Sequence, residues 1–218
     1  MFARKARRKT VLERYRRLRA LTTQHADNAL RRTPKGLVIK TGRRLGLVQD
    51  KRLIVFDNEQ VMALLSDLTL YSRRSGPSVI ERYRRTVDAP EGSDERAVVD
   101  GMCDWRFALL VVQRKHRVAG LVMEDLMRQE EQWLMDESLE ASAMPGLALA
   151  SRPIRPDEFH KTTGAAVPID EWLLLELERS LPPGQRGPAL IEGRSDRLVA
   201  TIYSKAIAMG AVERIAYA

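Results

Sequence analysis

The sequence predicts an α+β protein: a helical N-terminal half, a small antiparallel sheet or β-barrel-like module, and C-terminal helices that pack on it. Three observations lead there. Apolar residues recur at three- and four-residue steps through the first hundred positions. Four or five short apolar runs then follow between residues 105 and 169, and helical spacing returns after residue 170. Of the 218 residues 44% are hydrophobic and 30% charged, so a sizeable core is available and the composition is not that of a disordered chain. Four segments result: a basic helical arm at 1–50, a helical segment at 51–104, an antiparallel β module at 105–169 and helices at 170–218.

Taken in order, Val11, Tyr15, Leu18, Leu21, Ala26, Ala29 and Leu30 place a long amphipathic helix over about residues 8–32, with arginines filling its polar face. Thr33-Pro34 ends it, because proline disfavours the helical conformation in the residue before it. Proline at a first helical position and Leu37, Val38 and Leu45 predict a second helix over 34–44, closed by Gly46 in a left-handed turn. Residues 53–56 read as a short strand or a buried linker. Asp57, three residues before Gln60, gives a capping-box-like start to a helix through VMALLSDLTLY. Ser75-Gly76-Pro77 breaks it, and further helices are expected over 78–86 and from Ser93 to about Cys103.

Past Trp105 the runs RFALLVVQR, GLVMEDL, QWLMDE and LALASRPI, with turns between them, predict an antiparallel meander, to which 159–169 adds a fifth strand. Phe107, Leu109, Val111, Val122 and Leu134 are expected to face Leu173, Leu177 and Ile202. Leu173, Leu174, Leu177 and Leu181 form the apolar stripe of a helix stopped by Pro182-Pro183-Gly184. After a loop at 185–193, Ser195 or Asp196 starts the closing helix.

Several chemistries are excluded or left without a signature. One cysteine, Cys103, permits neither an internal disulfide nor a multi-cysteine zinc cage, and with Asp104 and Trp105 beside it the thiol reads as structural. His25, His116 and His160 lie far apart and show no metal-ligand spacing, so no metal or other cofactor is expected. GxxxxGK[ST], GxGxxG after a strand and GxSxG are all missing. The most site-like polar run is His160-Lys161-Thr162-Thr163-Gly164, whose imidazole, ammonium and hydroxyls suit either an anion pocket, an acid–base pair or a plain hairpin corner. The N-terminus has cations with no apolar run behind them, unlike a secretory signal, and a cytoplasmic location is expected.

Charge carries the leading functional expectation. Residues 1–50 hold fifteen cations and three acids (Glu13, Asp27 and Asp50), a balance of +12; the whole chain stands at +8, so residues 51–218 carry −4. Phosphate backbones attract lysine and arginine through release of condensed counterions, which requires cation density rather than fixed spacing. A non-enzymatic protein contacting RNA or another polyanion is therefore expected, through Arg7, Arg8, Arg14, Arg16, Arg17 and Arg19, with Arg43 and Arg44 behind them. A second basic group, Arg73, Arg74, Arg82, Arg84 and Arg85, has Tyr71 and Tyr83 interleaved. The alternative is a module for protein interaction or homo-oligomerisation through the same helix; the helix could instead pack on acidic residues of the body, for example Glu124, Asp125, Glu130 and Glu131. An enzyme with a polar site near His160 is the third reading.

Gly120, Asp125-Leu126, Asp136, Gly146, Leu149 and Arg152, within residues 111–154, follow the outline of a small β-module. In that outline this stretch resembles the β region of some bacterial SEC-C-motif proteins. Met123 and Gln129 depart from it, and the cysteine-rich metal motif is missing, so zinc does not carry over. The wider layout, with FDNEQVMALLSDLTLY and SVIERYRR, resembles uncharacterised bacterial proteins and implies no activity.

Overall fold

The computed structural model describes residues 2–50, 53–55, 58–73, 76–180 and 196–214. Its elements are α1 (Phe2–Arg31), α2 (Lys35–Arg44), β1 (Val48–Gln49), β2 (Leu53–Ile54), α3 (Glu59–Tyr71), α4 (Val79–Arg84), α5 (Asp94–Cys103), β3 (Ala108–Lys115), β4 (Leu121–Asp125), β5 (Glu130–Leu134), α6 (Glu137–Ser142), β6 (Ala148–Ile154), β7 (Lys161–Pro168), α7 (Glu171–Ser180) and α8 (Asp196–Ala208). The architecture is α+β, as expected. Among the described residues no helix is long and apolar enough to cross a membrane.

Helix α1 is no detached arm. Its periodic apolar face, Val11, Tyr15, Leu18 and Ala29, is buried with Ile80 and Tyr83 of α4, Val98 and Met102 of α5, and Trp105. Burying that face stabilises a 30-residue helix whose polar side is rich in mutually repelling arginines. The helix keeps two polar groups inside, Thr22 and His25; His25 Nδ1 sits 2.9 Å from the Tyr83 hydroxyl.

Helix α3 starts one residue later than expected. Its N-cap is Asn58, whose side chain accepts from the Val61 amide at 2.8 Å, and Asp57 lies outside the described residues. Helix α4 has a full capping box between Ser78 and Glu81, and Ser93 caps α5. Gly46 closes α2 with a φ of 75°. The side chains of Leu174 and Leu177, and the expected Pro182-Pro183-Gly184 stop and its loop, lie outside the described residues.

All five long strands form where the apolar runs placed them, but their order is β5-β4-β3-β6-β7, fully antiparallel, and not that of a meander. The short helix α6, which the apolar pattern did not disclose, interrupts the chain after β5 and returns it to the free side of β3. Asp136 caps α6 by accepting from the Ser138 and Leu139 amides at 3.1 Å. One face of the sheet, with Leu110, Leu121, Met123, Leu134, Leu149 and Ala166, packs on Leu139 and Ala143 beside it. The other face places Phe107, Ala150 and Val167 against Leu68, Leu173, Ile202 and Tyr203, with Leu109 at its margin. Phe107 and Leu109 thus face Leu173 and Ile202 as expected. Leu134 belongs to the opposite face because strand alternation sends it there.

The barrel alternative is not met. The edge strands approach each other at one end only, where Leu134 and His160 form a single parallel bridge: the His160 amide donates to Trp133 O and the Met135 amide to His160 O, both at 2.7 Å. Gly120, at φ 76°, lies under this junction, where the carbonyl of Leu134 leaves no room for a Cβ.

A buried ion pair ties the layers together. Arg152 of β6, 1% exposed, donates from Nε to both carboxylate oxygens of Asp67 in α3 at 3.1 Å. Thr163 of β7 and Tyr203 of α8 donate to the same carboxylate at 2.8 and 2.9 Å. The guanidinium carbon lies 4.1 Å from the Trp105 ring centre and 4.9 Å from that of Tyr71.

Candidate functional site

The arginines expected to meet an outside anion are largely engaged by the protein's own acids. Arg7 faces Glu158 at 3.5 Å, and Arg8 donates to Glu140 at 2.7 Å and to the Val118 carbonyl at 2.9 Å. Arg14 bridges Asp94 and Asp157, Arg17 shares Asp94 at 2.7 Å, and Arg16 holds Glu137 through two bonds of 3.0 and 2.7 Å. In the second group Arg73 pairs with Glu81 and Arg84 with Asp100, while Arg82 donates to the Pro77 carbonyl. Arg44 donates to the Asp196 carbonyl at 2.7 Å. Arg43 and Arg85 lie exposed, and Arg74 is outside the described residues.

This corrects the expectation of a free cationic face, and also that of packing on Glu124, Asp125, Glu130 and Glu131: Glu124 accepts from Gln113, and Asp125 and Glu131 pair with Arg128 and Arg114. Five of the fifteen cations of residues 1–50, Arg7, Arg8, Arg14, Arg16 and Arg17, are met by carboxylates from α5, α6 and the β6–β7 connection, between 77 and 151 residues further along the chain. Bonding to Arg14 holds Asp94 below the usual carboxylate range, and bonding to Arg16 does the same for Glu137.

Arg19 differs from its neighbours. It lies on the mouth of a polar cleft of about 230 Å³ formed by α1, the first turn of α3, the start of β7 and the turn before α6. Helix α1 supplies Tyr15, Arg19, Thr22 and Thr23; α3 supplies Glu59, Gln60 and Ala63. Asp136 and the run Lys161-Thr162-Thr163-Gly164 complete the wall. The Thr162 hydroxyl donates to Asp136 Oδ2 at 3.4 Å, and Thr163 leans on the buried Asp67 pair, so this wall is anchored from behind.

Lys161 is the unusual group. It is 3% exposed, and among the described residues its Nζ makes one hydrogen bond, to the Thr162 carbonyl at 2.8 Å, where an ammonium has three protons to donate. Burial, with the positive charge of Arg19 nearby, lowers its pKa from 10.5 to about 7, against the opposing pull of Asp136. Tyr15, also buried near Asp136, is pushed up and remains a neutral phenol. The cleft thus offers an amine that gives up its proton far more readily than an ordinary lysine, a fixed cation at the mouth, and hydroxyls between them.

His160 does not join this set. It lines a separate cavity of about 300 Å³ with Arg106, Arg128, Gln132 and Arg155. Burial, aided by Arg155, lowers its pKa to about 4, and its ring is neutral near pH 7. In that cavity Arg128 and Asp125 already bond each other at 2.5 Å. The polar run read from the sequence is therefore divided between two places. Tyr15 and Asp136 are not among the expected site residues: Tyr15 reads as one more apolar step of α1, and Asp136 reads as one position of the β-module outline, an acid at a strand edge. Cys103 is half-buried, its thiol pushed up to about 11 by burial, in keeping with a structural role. Among the described residues no group of three or more His, Cys, Asp or Glu side chains is placed to hold a metal ion.

Neither a curated protein nor a solved structure matches the chain. A family profile does match residues 9–177, a span that includes every residue of the Lys161 cleft and both partners of the buried Arg152–Asp67 pair. By that match, which covers well over half its length, the chain belongs to the family of unknown function DUF7986.

Proposed function

We propose that this protein binds a small anionic ligand, of the carboxylate or phosphate class, in the cleft between α1, α3 and β7. The observation that carries this reading is the buried Lys161 amine, short of acceptors and facing a polar opening with Arg19 at its mouth. A buried ammonium is costly unless an anion or enough acceptors satisfy it, and a bound oxyanion would supply both. A polyanion-binding face needs unpartnered guanidinium groups in number, and α1 offers few of them.

Isothermal titration with small carboxylates and with inorganic phosphate, at pH 6 and pH 9, tests the proposal. An anion that binds Lys161 meets the ammonium at pH 6 and the amine at pH 9, so affinity should fall by at least tenfold between them. Lys161→Met should bind at neither pH. Equal affinity in the variant and the parent chain would overturn the reading.

A further inference from the structure

We propose that Lys161 captures the carbonyl carbon of a small 2-oxo acid as an imine, with Arg19 holding the acid's carboxylate. This rests on the anion-binding reading above and adds a covalent step to it. Attraction of an anion needs only a protonated lysine, and Lys161 has more than that: its amine is enclosed, with one acceptor among the described residues, and a second cation lines the same cleft. Desolvation and a neighbouring cation are the two influences that turn a lysine into a nucleophile near neutral pH. A cleft of about 230 Å³ suits a molecule no larger than a substituted benzene ring, given that a 150 Å³ cavity holds benzene itself. A 2-oxo acid of three to five carbons has the two groups this wall can engage, a carbonyl for the amine and a carboxylate for the guanidinium.

The step balances without an oxidant or reductant. The Nζ lone pair adds to the carbonyl carbon, and the carbonyl π pair moves to oxygen, which takes a proton to give the carbinolamine. The carbon–oxygen bond then breaks, the oxygen leaves as water with both hydrogens that the amine had carried, and the carbon–nitrogen double bond forms. The Asp136 carboxylate, which lines the cleft and bonds the Thr162 hydroxyl, is the group placed to pass protons from nitrogen to the departing oxygen. Burial slows the return of water, which would hydrolyse the imine.

The test uses the full chain with pyruvate and sodium cyanoborohydride, read by intact mass and peptide mapping, with lactate titrated calorimetrically in parallel. The expected result is one reduced pyruvate adduct per chain on Lys161, at least tenfold above any exposed lysine. Lys161→Met should lose it while keeping a native circular dichroism spectrum, and Arg19→Gln should label at least tenfold more slowly. Lactate bound without a Lys161 adduct from pyruvate would overturn the imine and leave the anion site standing. Failure of both acids to bind or label would overturn the two together, and uniform labelling of surface lysines would also overturn the imine.

Discussion

Replacing Lys161 by methionine should make the protein more stable at neutral pH, an outcome opposite to that of most core substitutions. The buried amine has a pKa of about 7, against an ordinary 10.5. Between those values the unfolded chain holds the proton and the folded chain has released it, so the unfolded state binds more protons and stability rises with pH. The penalty is fully present below about pH 7 and is relieved as pH climbs toward 10.5. At about 1.4 kcal/mol for each pH unit, the gap amounts to roughly 4–5 kcal/mol, of which local relaxation leaves a few. Methionine has similar length, no charge and good tolerance of irregular spaces. The groups that face Lys161, namely Arg19 and Tyr15 from α1, Glu59 from α3 and Asp136 before α6, are kept in the variant. Urea denaturation at pH 7 and pH 9 measures the effect. The variant should exceed the parent by a few kcal/mol at pH 7, and its advantage should shrink by about 2 kcal/mol at pH 9. The Cys103 thiol, pushed up to about 11, works in the other direction above pH 9 and cancels in the comparison. A variant less stable than the parent at pH 7, or a difference that ignores pH, would refute the assignment of Lys161 as a desolvated amine.

Three further outcomes follow from the packing. Asp67→Ala strands the Arg152 charge, 1% exposed, and should cost about 3–5 kcal/mol in chemical denaturation, while the double change with Arg152→Met should recover much of that loss. Gly120→Ala should cost about 2 kcal/mol or more, because its Cβ would strike the Leu134 carbonyl at a φ of 76°; Gly146→Ala, at φ 89° in open space, should cost about 1 kcal/mol. Arg14→Ala, which leaves Asp94 to Arg17 alone and takes the guanidinium partner from Asp157, should cost about 1 kcal/mol at low salt and less at high salt. Since Arg14 lowers the Asp94 pKa, that stabilisation is present above the ordinary carboxylate range and fades in acid, so thermal melts of the two chains should converge as pH falls.

What could be read in advance was whatever local periodicity specifies. Val11, Tyr15 and Leu18 recur at helical steps, and all three are buried. The strands announced themselves because apolar runs such as ALLVVQR end in turn residues. What stayed hidden was long-range pairing. Arg14 looks the same in sequence whether it meets a phosphate or Asp157, and the meeting depends on how α1 lies across α5 and the β6–β7 connection. Asp67, set among the leucines of α3, reads as the polar side of a helix, and only Arg152 and Tyr203 explain why it is inside. The crossing by α6 was illegible for a similar reason: six residues with one buried leucine carry too little pattern to distinguish a helix from a turn. Of the site itself, Lys161, Thr162 and Thr163 were picked out as a polar run, but their separation from His160 needed the strand.

The junction of His160 with Leu134 has a consequence for fidelity of assembly. Slippage of β7 by one position in either direction would carry the amine out of its cleft and the imidazole out of its cavity, emptying both of their intended chemistry at once. Two backbone bonds at the meeting point of the sheet's margins act as a molecular index mark against that error.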